Sequence, residues 1–144
     1  MTPADHRAYF FKIDTTIKKI RQALQKKLDA AGMELTVDQW VILDHVFRNE
    51  GLSQNRLAEL TTKDAPTVTR ILDLLIGKGL AERRPDGADR RRFSIVLTEA
   101  GRAKFQAALP IVIEVRRKGW GTLSDADYLT FTRILDEIHR NISE

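Results

Sequence analysis

Five arginines and two aspartates crowd into RRPDGADRRR, residues 83–92, around a Pro-Asp-Gly turn. Of the formal net charge of +4, this decapeptide holds +3 and the rest of the chain only +1. Guanidinium groups bind phosphate oxygens through paired N–H donors, so this cluster suits a polyanion. The plain alternative is a solvated charged loop. Arg90, Arg91 and Arg92 are consecutive, however, and repel one another unless solvent or phosphate spreads their charge. Arginine is also favoured in a narrow A·T-rich minor groove, where the negative potential deepens. Asp86 and Asp89 fit such a loop as anchors that hold the arginine side chains in place.

A second set lies just upstream. Thr67, Thr69 and Arg70 stand in the first turns of an expected helix that Asp64 caps and Pro66 starts. The major groove of B-DNA admits one helix, whose N-terminal residues meet base edges while the preceding helix braces on the phosphates. Arg70 there either grips guanine O6 and N7 or clamps a phosphate; both readings stand. Alone, these residues describe an ordinary solvated helix face, and the basic hairpin that follows favours the groove.

Other chemistry finds little footing. The absence of cysteine removes disulfides, thiolate metal sites and thiol redox sensing. His6, His45 and His139 share no metal-ligand spacing with each other or with nearby carboxylates. "SDAD" at 124–127 reads as a helix cap, lacking the alternating acidic ligands and central glycine of a calcium loop. Neither a phosphate-binding glycine pattern nor a nucleophile–base pair is visible. The expectation is a protein that is no enzyme and holds no cofactor or metal.

The elements that must position these residues are mostly helices. Phe10, Ile13, Ile17, Ile20, Leu24 and Leu28 form one stripe near the start, and Tyr128, Phe131, Leu135, Ile138 and Ile142 form another near the end, after the cap Ser124. Each stripe either packs on the chain's own core or is shared between two copies. Two such helices at opposite ends of 144 residues favour a homodimer seam. Between them, Thr36 and Gln39 make a capping box for a helix bearing Trp40, Leu43 and Phe47. A short helix capped by Ser53, a break at "TTKD" and a longer helix ending at Gly79 come next, the longer one with Val68, Ile71, Leu72, Leu75 and Ile76 inward. Phe93, Ile95 and Leu97 alternate with polar or smaller residues as in a half-buried strand, so the arginine cluster is expected at a hairpin tip. Thr98 caps a further helix, which Pro110 is expected to kink. The fold class is therefore mainly α with a small β-hairpin wing, in one domain. No apolar run reaches the ~18 residues of a membrane span, and "MTPADHRAYF" is no signal peptide, so the expected place is cytoplasmic, with no membrane partner.

In order and spacing, "LTVDQWVIL", "LSQNRLAELT", "PTVTRILDLLIGKGLAERRPDGADRRR" and "VLTEAG" resemble the MarR (multiple antibiotic resistance regulator) family of bacterial transcription factors. The resemblance is dense from about Leu35 to Gly101 and elsewhere rests on architecture. It implies a winged helix-turn-helix DNA-binding lobe over 35–98, with dimerisation helices over 5–31 and 99–143. It also implies a homodimer on pseudo-palindromic double-stranded DNA, usually a repressor, released by a small aromatic or phenolic effector. Ser53 and Gln54 match positions near the phosphate backbone, and Pro66, Thr67, Thr69 and Arg70 match the front of the recognition helix. Arg91 matches the wing arginine, beside Arg90 and with Asp89 as anchor. Trp40 falls where the family has its effector crevice, although a tryptophan on an inner helix face is also simply core. Thr62 occupies a turn position often held by glycine, which leaves the turn geometry open. Two other readings remain: an architectural winged-helix module that binds DNA without reading sequence, and one that uses its wing on an acidic protein.

Overall fold

The computed structural model describes residues 6–86 and 89–143, with residues 86 and 89–92 described by their backbone alone. In chain order the elements are α1 (Arg7–Ala30), α2 (Val37–Arg48), β1 (Leu52–Ser53), α3 (Gln54–Thr61), α4 (Ala65–Gly77), β2 (Ala81–Asp86), β3 (Asp89–Leu97), α5 (Glu99–Trp120) and α6 (Asp125–Ile142).

The helices begin where a side-chain oxygen can take an otherwise unpaired backbone N–H. Thr36, Ser53, Asp64, Thr98 and Ser124 accept from the amides of Gln39, Arg56, Thr67, Gly101 and Asp127. Thr36 with Gln39 and Ser124 with Asp127 are complete capping boxes. The end of α4 is equally local. Gly79 has φ +74 and its N–H meets the Ile76 carbonyl, while the Leu80 N–H reaches back to Leu75. That left-handed turn stops the helix and aims the chain into β2.

Thr62 makes the same kind of turn after α3, at φ +53, with its N–H on Glu59 and the Lys63 N–H on Ala58. The position often held by glycine thus keeps a glycine-like backbone although it carries a β-branched side chain. Such a residue in the left-handed region costs on the order of 1–3 kcal/mol. Thr62 is exposed, so little packing offsets that cost. Thr62→Gly should therefore raise stability by about 1 kcal/mol after the extra entropy of glycine in the unfolded chain is counted. A urea midpoint equal to or below the wild type would contradict this.

The sheet has one strand more than the expected hairpin. Its order is β1-β3-β2, all antiparallel, with Leu52 opposite Ile95 and Ser53 opposite Ser94. Two residues are too few to show alternation in a sequence.

The core gathers Leu28 from α1, Trp40, Ile42, Leu43 and Val46 from α2, Leu57 from α3, Val68, Leu72 and Leu75 from α4, Ile95 from β3 and Phe105 from α5. Phe105 lies between two rings of α2: Trp40 at 4.9 Å, nearly parallel, and Phe47 at 4.0 Å. The inward stripe of α4 is as expected, with Ile76 only partly buried. Pro110 lies inside α5, which continues as helix on both sides of it. The C-terminal part of the first stripe, Leu24 and Leu28, packs on the chain's own core, whereas the rest of it and the α6 stripe do not. Phe10, Ile13, Ile17 and Ile20 of α1 are all at least 41% exposed, and α6 buries none of its residues.

Candidate nucleic-acid interface

Two short helices and a hairpin meet at one edge of the lobe. Asp64 caps α4 with its carboxylate on the Thr67 amide at 2.8 Å. Hydrogen bonds from the Thr67 side chain and backbone hold the Asp64 carboxyl below its usual range. Pro66 follows in the first turn, where its missing N–H costs nothing. Pro66 and Arg70 are exposed, whereas Thr67 and Thr69 are half-buried.

Ser53 has two roles. It pairs with Ser94 in the sheet and its hydroxyl caps α3 by accepting the Arg56 amide. Gln54, the first residue of α3, lies against α4. Its Nε2 donates to Thr69 Oγ1 at 2.5 Å, and its Oε1 accepts Arg83 Nε at 3.3 Å. Arg83, at the base of the wing in β2, also pairs with Asp73 of α4 at 2.9 Å. One arginine thus ties the first helix, the second helix and the wing together. The Arg83 side chain is 26% exposed but that of Asp73 is 60% exposed, so solvent still screens the pair in part.

A second ionic node sits behind the turn. Asp38 of α2 accepts from Arg21 of α1 and pairs with Lys63, in the turn between α3 and α4, at 3.0 Å. Partial burial opposes ionisation of Asp38, but hydrogen bonds from Lys63 and Arg21 outweigh it and hold its carboxyl below the ordinary carboxylate range. The node links the N-terminal helix to the helix-turn-helix.

The structure thus brings Gln54 and Thr69 into direct contact, with Ser53, Pro66, Thr67 and Arg70 beside them. The side chains of Asp89, Arg90 and Arg91 lie outside the described residues; their backbone opens β3, where Asp89 pairs with Asp86. Trp40 lies apart from this edge. It is 1% exposed in the core against Phe105. Neither described cleft includes it: one of about 250 Å³ lies between Arg21, Gln25 and Asp38, the other of about 470 Å³ along Leu109, Pro110 and Ile113 of α5. In the sequence, Arg83 and Asp73 stand out only as members of the stretch "PTVTRILDLLIGKGLAERRPDGADRRR". Their contact joins a strand to a helix, for which no spacing rule exists.

Among the described residues, no group of acidic and histidine side chains could hold a metal ion, and no helix is long and apolar enough to cross a membrane. A helix, a tight turn, a second helix with its polar front exposed and an antiparallel hairpin define a winged helix-turn-helix protein. The MarR-family model matches residues 31–92. That match, together with the regulators the chain resembles, supports a transcriptional regulator of the MarR family. The HTH-type transcriptional repressor NicR of Pseudomonas putida is 27% identical over 81% of this chain and 77% of that protein. The S. aureus MepR–DNA complex aligns at a TM-score of 0.80 and 26% identity, covering 94% of this chain and 97% of that one. A mutant MarR from E. coli complexed with operator DNA shares the fold at a TM-score of 0.83 and 21% identity, covering 96% of this chain and 98% of that one.

Proposed function

We propose that the chain acts in the cytoplasm as a homodimeric, sequence-specific repressor on pseudo-palindromic double-stranded DNA, with α4 in the major groove and the wing in the adjacent minor groove. The observation that carries this reading is the exposed polar front of α4 next to a hairpin that holds most of the chain's net positive charge. In this reading Ser53 and Gln54 lie near the phosphates, Pro66, Thr67, Thr69 and Arg70 face the groove, and Arg90 and Arg91, with Asp89 as anchor, reach the wing contacts. The exposed apolar faces of the first half of α1 and of α6 support the dimer, since exposed faces of that length are unfavourable in a lone chain. The DNA-bound structures of MepR and MarR support DNA as the partner, and the name of NicR supports repression. Release by a small aromatic or phenolic effector rests on family resemblance alone, because Trp40 is packed in the core.

The test is selection of bound duplexes from a random library, read by sequencing. An enriched inverted repeat with half-sites about one helical turn apart is the expected result. Retention without a motif would replace the regulator with an architectural module, and no retention at low salt would turn the wing towards an acidic protein. On the selected site, Arg70→Ala should cost on the order of 1–3 kcal/mol and erase the preference for one base. A uniform loss on every sequence would make Arg70 a phosphate clamp instead.

A further inference from the structure

We infer that Thr69 selects thymine through its methyl group and offers a base no hydrogen-bond donor. This rests on the proposed docking of α4 in the major groove.

The direction of the polar chain is set at its far end by Arg83, a side chain that can only donate. Arg83 Nη2 is held by Asp73 at 2.9 Å and its Nε meets Gln54 Oε1 at 3.3 Å. The Gln54 amide must therefore turn its oxygen to Arg83 and its nitrogen to Thr69, which removes the usual ambiguity in an amide's orientation. The Thr69 oxygen accepts from that nitrogen at 2.5 Å. Its single proton goes back to the Ala65 carbonyl one turn earlier, at 3.0 Å. A hydroxyl so engaged has spent its one donor inside the protein. The methyl group remains for recognition, beside one acceptor lone pair that could meet only the amino groups of adenine or cytosine. In the major groove thymine alone presents a methyl, at C5, so apolar contact there discriminates. Arg70, exposed on the next position, carries the polar part of the reading.

The experiment uses duplexes carrying the selected half-site, with each thymine replaced in turn by uracil, which pairs with adenine alike but lacks the C5 methyl. At one position, wild-type affinity should fall about fourfold per half-site, the value of one buried methyl. Thr69→Ser, which keeps the hydroxyl and drops the methyl, should bind the thymine and uracil duplexes equally. Thr69→Val, which keeps a methyl and drops the hydroxyl, should preserve the difference. Affinity for random-sequence duplex serves as the control that each variant is folded and still engages phosphates. A wild type indifferent to every thymine, a Thr69→Ser variant that still discriminates, or a Thr69→Val variant that does not would each overturn the inference while leaving sequence-specific binding intact. If the wild type enriches no motif, sequence-specific recognition fails and the inference falls with it.

Discussion

Gly101→Ala should lower stability by about 3 kcal/mol, the upper part of the range for forcing a methyl into a filled site. A Cβ at Gly101 would lie 1.9 Å from the Leu80 carbonyl oxygen and 2.9 Å from its carbon. Both are backbone atoms, so no rotamer change can clear the clash. The Leu80 oxygen is also occupied, since it accepts the Thr98 amide at 3.1 Å. Thr98 in turn donates its hydroxyl to the Gly79 carbonyl at 2.6 Å and accepts the Gly101 amide at 3.0 Å. This junction clasps the first turn of α5 to the turn between α4 and β2. Moving α5 outward to make room would break the cap and pull on α4 and the hairpin together. Gly119 provides a control within the same helix. A Cβ there meets nothing within 4 Å, so Gly119→Ala should instead stabilise, by up to about 1 kcal/mol from helix propensity. Urea unfolding of both variants at one protein concentration separates the two signs. A Gly101→Ala midpoint equal to the wild type would show that α5 does not sit against Leu80.

Phe105→Ala has an expected cost of about 3–5 kcal/mol, the range for removing a buried aromatic side chain. Phe105 is 1% exposed and its ring lies between Trp40 and Phe47, so it fastens α5 to α2 from both sides. Deleting the ring leaves a cavity walled by two aromatic faces that cannot easily collapse, because Trp40 is itself 1% exposed and pinned by the surrounding core. Phe105→Leu fills most of the volume without the stacking, so its own loss relative to the wild type approximates what the ring geometry adds, about 0.5–1.5 kcal/mol per aromatic pair. Trp40 fluorescence should change in both variants. A loss below about 1 kcal/mol in Phe105→Ala would mean that the stack is not a major fastening between α2 and α5.

Much of the architecture is legible in the sequence, and the legible parts share a cause. Thr36, Ser53, Asp64, Thr98 and Ser124 each cap a helix by reaching an amide three residues on, and such short-range bonds can be read in a short window of sequence. The inward stripe from Val68 to Leu75 is periodic, and periodicity survives without knowledge of the partner; the alternation from Phe93 to Leu97 holds only in part, since Ile95 and Leu97 are buried but Phe93 is exposed and Val96 is buried as well. The exposed front of α4 follows directly, as the face left over when the stripe turns inward.

Short stretches of sequence specify where helices start and stop, which faces are apolar, and that positive charge gathers at one turn. Tertiary structure alone decided the rest. It placed Leu52–Ser53 as a third strand, set Trp40 against Phe105, brought Gly101 onto Leu80, and let Arg83 order Gln54 and through it Thr69. These contacts join residues from different elements, so they depend on how helices and strands pack, a three-dimensional outcome that no local period or cap encodes. The chemistry of the α4 front is the sharpest case: threonine at position 69 is a donor, an acceptor or a methyl on paper, and only its neighbours choose among them.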